Sequence, residues 1–181
     1  MLYNCSGPTG CGKSSLLDIL ADRKNSQGLT GRILLDGMPR DPSFKYNVGY
    51  VVQEDIITGT LTVRENLMFS ANVRLPKTVS VSDRAERVTK VINDLGLESC
   101  ADTRIGTEFL RGVSGGERRR ACIGMELVLS PTILFLEEPT KGLYCLWVCK
   151  IRTSAQHISN KVFLNSLDSS SRVAFCTFFL F

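Results

Sequence analysis

Apolar residues recur along the chain in two patterns, one with helical spacing and one as short continuous runs. The helical pattern is clearest at residues that share one helical face: Val88, Val91, Ile92 and Leu95. This spacing predicts a helix over about 83–95, with Gly96 at its C-terminal end. The continuous run 133–136 follows Pro131 and is typical of a strand buried on both faces of a sheet.

The same patterns, together with turn and helix-start signals, predict further elements. Strands are predicted at 1–6, 33–35 and 48–53. Helices are predicted at 13–23, 62–75 and 114–129. The last two begin with capping-box spacing, in which Thr62 is followed by Glu65 and Ser114 by Glu117. Alternating strands and helices predict an α/β fold with a largely parallel sheet.

Length and charge fit one globular domain without a nucleic-acid partner. The chain has 181 residues, of which 43% are hydrophobic and 22% charged, and its net charge is +4. The densest basic run, at 118–120, is too short for a nucleic-acid-binding stripe and is interpreted as a solvated helix face. Because neither a signal peptide nor about 18 consecutive apolar residues occur, we expect a cytosolic chain that reaches a membrane only through a partner.

The cysteines indicate reduced thiols rather than disulfides or a metal site. There are seven, an odd number, and none forms a CxxC pair, which fits a reducing compartment. Cys145, Cys149 and His157 lie close together in the sequence, but their spacing matches no standard zinc module. A zinc site is therefore not predicted.

A glycine-rich loop between the first predicted strand and helix carries the strongest chemical signal. It matches GxxxxGK followed by Ser or Thr, the P-loop, and we expect the nucleotide to contact all of it and the next residue: Gly7, Pro8, Thr9, Gly10, Cys11, Gly12, Lys13, Ser14 and Ser15. Glycines let several N–H groups point at phosphate oxygens, and the following helix adds its dipole. Lys13 can reach the β- and γ-phosphates of ATP, and the Ser14 hydroxyl can ligate Mg²⁺.

Three further motifs select among P-loop proteins. Gln53 ends an apolar strand, the segment 113–117 reads VSGGE, and 136–140 reads LEEPT. In this order they resemble the Q-loop, signature and Walker B motifs of ABC ATPases. A GTPase would need an NKxD base reader, and the segment 160–163 lacks the Asp. A DNA-repair ATPase of the SMC type shares the signature, but 77–110 has no coiled-coil heptads.

The resemblance is closer still to the G subfamily, the half-transporters of the White and breast cancer resistance protein type. Four stretches carry it: 7–24, 49–55, 61–70 and 111–126. It implies a P-loop NTPase-type cassette with a mainly parallel sheet, an antiparallel β part and a helical subdomain carrying the signature. It also implies a membrane domain, absent from this chain, that holds the cassette at the cytoplasmic face of a membrane.

The resemblance also implies roles for individual residues. Two cassettes would pair head to tail, so that each ATP lies between one P-loop and the partner's signature, here Ser114, Gly115, Gly116 and Glu117. Glu138 takes the place of the catalytic carboxylate that polarises water, and Gln53 acts beside it. Ser14, Gln53 and Glu137 would hold Mg²⁺.

The sequence departs from the family pattern at four points. Glu137 replaces the Walker B aspartate, Tyr144 replaces the D-loop aspartate, and His157 lies too early to be the switch histidine. Only six residues precede Gly7, so early strands are missing, and the cassette is expected to be incomplete at both ends. We expect a partial nucleotide-binding domain over 1–143 and a divergent tail over 144–181, where the periodicity fades.

The sequence thus predicts ATP binding by a G-type ABC cassette, whose family couples ATP hydrolysis to export of lipophilic substrates. Two alternatives stay open at this point. One is a catalytically impaired regulatory chain that pairs with an intact half-transporter. The other is a nonfunctional truncated product.

Overall fold

A parallel sheet organises the fold of the computed structural model, which describes residues 2–5, 7–8, 10–25, 27–35, 37–138 and 161–165. Its strands and helices are β1 (Leu2–Cys5), α1 (Lys13–Leu20), β2 (Leu34–Leu35), β3 (Met38–Pro39), β4 (Val48–Val51), α2 (Val63–Arg74), α3 (Val81–Asp94), α4 (Gly115–Leu127), β5 (Ile133–Glu137) and β6 (Lys161–Asn165). Short 3₁₀ turns lie at Phe44–Tyr46 and Glu98–Cys100.

Within the described residues, the main sheet has four strands in the order β1-β6-β5-β4, all parallel. β2 and β3 form a separate antiparallel hairpin, with Leu35 opposite Met38. The expected combination of a mainly parallel sheet and a small antiparallel part is therefore confirmed.

Side chains from β5 alternate between two cores, one on each face of the sheet. Leu134 and Leu136 belong to the larger core, which includes residues of α2, α3 and α4. Ile133 and Phe135 belong to a smaller core, together with Leu17 of α1. Because both faces of this strand are covered, its sequence is continuously apolar rather than alternating.

The three helices α2, α3 and α4 pack together on one face of the sheet, and local signals set where they begin. Both predicted capping boxes are confirmed, at Thr62 for α2 and at Ser114 for α4. The start predicted near residue 83 for α3 was two residues late, because Ser80 accepts a hydrogen bond from the Asp83 N–H and serves as N-cap.

Some boundaries and one strand differ from the sequence predictions. α1 ends at Leu20 rather than near residue 23, and β4 ends at Val51 rather than at residue 53. The strand β6 was not predicted, yet it lies between β1 and β5. The division of the chain at 143/144 stays a prediction, and the expectations for Tyr144 and His157 lie outside the described residues. In the described part, no helix is long and apolar enough to cross a membrane.

Candidate nucleotide-binding site

The predicted site residues follow the carboxyl ends of three parallel strands. β1 leads into the glycine loop, β4 is followed by Gln53, and β5 ends at Glu137. Because β1, β4 and β5 are parallel members of one sheet, their carboxyl ends meet at the same edge. The sheet topology therefore brings together segments that are distant in sequence. It does so at the edge where α/β proteins bind ligands.

The glycine loop needs its glycines for backbone conformation. Gly10 and Gly12 have φ values of 84° and 89°, in the left-handed region that side chains disfavour. Gly12 is the N-cap of α1, whose first free N–H groups therefore face the loop. The Cys11 N–H donates to the Pro8 carbonyl at 3.3 Å and closes the turn. Thr9 lies outside the described residues.

Lys13 lies back across the loop that precedes it. Its ammonium donates to the Gly7 carbonyl at 2.7 Å and to the Pro8 carbonyl at 2.9 Å. Ser14 and Ser15 follow on the exposed first turn of α1. The loop thus places one cation and a helix N-terminus together, which is the arrangement that phosphate groups require.

Glu137 is a nearly buried carboxylate whose two oxygens each accept a hydrogen bond. The Tyr50 hydroxyl donates to Oε1 at 2.8 Å, and the Gln53 backbone N–H donates to Oε2 at 3.1 Å. The residue is only 9% exposed. Burial, followed by hydrogen bonds to Glu137 and Asp18, raises the pKa of Tyr50 well above its ordinary value, so the hydroxyl stays a donor.

Gln53 and Glu138 contact each other directly. The Gln53 side-chain amide donates to Glu138 Oε2 at 3.0 Å. Glu138 has a φ of 41°, a left-handed conformation that costs a non-glycine residue roughly 1 to 2 kcal/mol. Such strain persists where surrounding contacts fix the backbone.

The signature segment forms the start of α4. The Glu117 N–H donates to Ser114 Oγ at 3.3 Å, and the Ser114 N–H donates to Glu117 Oε2 at 2.7 Å. The backbone hydrogen bond from Ser114 lowers the pKa of Glu117. Ser114 and Gly115 are exposed, and a Cβ added at Gly115 would meet no atom within 4 Å. Gly116 is half-buried.

Sequence reasoning missed two residues of this site, Tyr50 and Arg119. The interpretation of 118–120 as a solvated helix face was wrong, because Arg119 is 2% and Arg120 7% exposed. Arg119 precedes the buried Cys122 and Ile123 by three and four positions, so it lies on the core-facing side of α4. That spacing was the available signal.

The donor set at the sheet edge fits Mg²⁺. Ser14 offers a hydroxyl, Gln53 an amide oxygen and Glu137 a carboxylate, all of them the hard oxygen ligands that Mg²⁺ prefers. Each Glu137 oxygen accepts one hydrogen bond and so keeps a further lone pair. The described residues contain no group of three or more acidic, His or Cys side chains that could hold a metal alone.

The fold is that of an ATP-binding cassette. Residues 2–141 match the family described as ABC transporter, and the chain belongs to that family. A dimeric, post-hydrolysis structure of the ATP-binding cassette MJ0796, bound to ADP and Pi, has the same fold. Its TM-score is 0.70 at 21% identity, over 92% of this chain and 73% of that one.

Relatives of the chain belong to the G subfamily, which confirms the resemblance seen in the sequence. The chain is 61% identical over 137 residues to the broad substrate specificity ATP-binding cassette transporter ABCG2 of Bos taurus. It is 47% identical over 154 residues to ABC transporter G family member 24 of Dictyostelium discoideum. These matches cover 76% and 85% of this chain but 21% and 13% of the relatives. The chain therefore spans about a fifth or less of their length.

Proposed function

We propose that the chain binds Mg-ATP through the loop at 7–14, and that within a longer G-type protein this binding would drive export of lipophilic compounds. The observation that carries the proposal is the pairing of Gln53 with Glu138, at 3.0 Å, on the same sheet edge as the glycine loop. A nucleotide held by the loop would present its terminal phosphate to that pair.

When Lys13 binds phosphate, its ammonium would exchange one set of hydrogen-bond acceptors for another. The ammonium now donates to two loop carbonyls, and phosphate oxygens would replace these neutral acceptors by charged ones. Loop N–H groups and the α1 N-terminus would bind the remaining oxygens. Ser14, Gln53 and Glu137 would hold Mg²⁺, which when bound neutralises charge on the β- and γ-phosphates.

Hydrolysis would depend on Glu138. Its carboxylate accepts a hydrogen bond from Gln53 and can accept another from a water, which it would polarise for attack on the γ-phosphate. We expect turnover to be very slow, since Tyr144 stands in place of the D-loop aspartate. Losing one preorganised contact costs roughly 10² to 10³ in rate.

The experiment is steady-state phosphate release at saturating Mg-ATP, compared with Glu138→Gln. We expect the unmodified chain to release little phosphate above the variant. A turnover of about one per second, abolished in Glu138→Gln, would show a working ATPase and refute the impairment.

A second candidate function is pairing with an intact cassette, as a regulatory subunit. The exposed Ser114 and Gly115 at the start of α4 support it, since a helix N-terminus with a serine can bind a partner's γ-phosphate. Mixing the chain with a full G-type cassette at millimolar ATP should give a heterodimer by light scattering. Monomers alone, with and without ATP, would remove the support for this function.

A further inference from the structure

Arg119 is a buried cation that binds the ends of two strands at once. It is the fifth residue of α4 and is 2% exposed. Its Nη1 donates to the Val52 carbonyl at 2.7 Å, the Gln53 carbonyl at 3.3 Å and Asp55 Oδ1 at 3.0 Å. Its Nη2 donates to the Glu137 carbonyl and, at 3.4 Å, to the Glu138 carbonyl.

These four carbonyls belong to the peptide groups on either side of two α-carbons, so the contacts bear on the backbone of two residues. The Val52 and Gln53 carbonyls belong to the peptide groups on either side of the Gln53 Cα. The Glu137 and Glu138 carbonyls flank the Glu138 Cα in the same way. Because φ and ψ are set by the orientation of the flanking peptide groups, one guanidinium restrains the backbone of both residues.

This restraint accounts for the left-handed Glu138. A φ of 41° is unfavourable for glutamate and needs contacts that fix it. Arg119 supplies them on both sides of the residue, and the Glu138 side chain then meets the Gln53 amide at 3.0 Å.

Stability alone is a weak reason for such an arrangement. A buried guanidinium carries a large desolvation cost, and its ion-pair partner Asp55 is partly exposed. Among the described residues, the Arg119 Nε has no hydrogen-bond acceptor. Apolar residues would fill the same space at lower cost, whereas only a planar fork can bind two pairs of carbonyls.

We propose that Arg119 is a positioning residue, which holds Gln53 and Glu138 toward each other and couples their geometry to the signature segment at the start of α4. The proposal rests on the function proposed above for this site. Ser114 and Arg119 lie on one helix, about 7.5 Å apart along its axis at about 1.5 Å per residue. The capping box fixes the N-terminus of α4, so a shift of the Gln53–Glu138 pair would be transmitted along the helix to Ser114.

The test uses the full chain and the substitutions Arg119→Lys and Arg119→Gln. Lysine keeps the charge beside Asp55 but has no fork to bind both strand ends. Arg74→Gln is the matched control, since Arg74 forms a two-armed pair with Glu126 at the other end of α4. Thermal unfolding of each variant is measured first. If Arg119→Gln does not fold, the test is made with Arg119→Lys.

Two quantities are then measured for each variant: the Mg-ATP dissociation constant by calorimetry, and amide hydrogen exchange with and without Mg-ATP. In the unmodified chain and in Arg74→Gln, we expect Mg-ATP to slow exchange about fivefold or more at both 52–56 and 113–118. In the Arg119 variants, affinity should fall by less than about tenfold, because the glycine loop is intact and only the positioning of Gln53 is altered. The ATP-dependent slowing at 113–118 should fall below about twofold.

The outcomes separate the inference from the proposed function. A merely structural Arg119 would speed exchange equally with and without ATP and leave the ATP-dependent ratio unchanged. That result, or an unmodified chain that binds ATP without slowing exchange at 113–118, overturns the coupling and leaves ATP binding standing. An unmodified chain that binds no Mg-ATP refutes the proposed function, and the coupling with it.

Discussion

Replacing Glu137 by glutamine should destabilise the fold more than its small change in size suggests. The carboxylate accepts from the Tyr50 hydroxyl and from the Gln53 N–H, whereas an amide has one acceptor oxygen and an NH₂ group. The amide oxygen can accept from the Gln53 N–H, and the Tyr50 hydroxyl would then have to turn and accept from the NH₂ group, so hydrogen bonding to a charged acceptor is lost at a site that is 9% exposed. Hydrogen bonds to charged groups contribute about 1.5 to 3 kcal/mol, so we expect a loss of about 2 kcal/mol.

The assay is thermal unfolding followed by circular dichroism, with Glu126→Gln as control. For a chain of this size, about 2 kcal/mol corresponds to a Tm decrease of roughly 4 to 8 °C. Glu126 pairs with the partly exposed Arg74, so the same substitution there should cost about 0.5 kcal/mol and only one or two degrees. Equal small shifts for both variants would refute the view that Glu137 ties the segment after β4 to the end of β5.

Two further predictions concern stability. Gly112→Ala should cost about 3 kcal/mol in denaturant unfolding, because the new Cβ would clash with the Ile105 carbonyl oxygen, while Gly115→Ala, which meets no atom within 4 Å, should cost nothing. Glu117 has a lowered folded-state pKa, so its contribution to stability is complete above its ordinary value of 4.5 and is lost as the pH falls through the lowered value. In Glu117→Gln, the unfolding midpoint should therefore fall less steeply as the pH is lowered on the acid side. An unchanged pH dependence there would contradict this prediction.

Elements with local causes could be predicted from the sequence. The capping box at Ser114 needs only two residues three positions apart, and the apolar run of β5 reflects burial on both faces. The glycine loop is likewise a local motif, and the topology places it at the expected sheet edge. Such features depend on spacing along the chain, which the sequence displays directly.

Features that depend on distant contacts could not be predicted. Tyr50 and Glu137 are 87 positions apart, and nothing in either segment indicates that they meet. Arg119 belongs to a basic run that alone looks like a solvated face, and its burial follows from where α4 lies against the strand ends. β6 has little sequence pattern, since its place between β1 and β5 comes from pairing with both.

Titration calorimetry of Mg-ATP binding to the chain and to Lys13→Ala tests the central claim most directly. The Lys13 ammonium donates hydrogen bonds to the loop carbonyls of Gly7 and Pro8, and it can donate to phosphate oxygens in their place. Charge-assisted hydrogen bonds of this kind contribute roughly 1.5 to 3 kcal/mol, and about 1.4 kcal/mol is a tenfold change in affinity. We predict a dissociation constant at least about tenfold higher for Lys13→Ala and an unchanged one for the exposed Lys24→Ala. Equal dissociation constants for Lys13→Ala and the unmodified chain would contradict nucleotide binding at this loop.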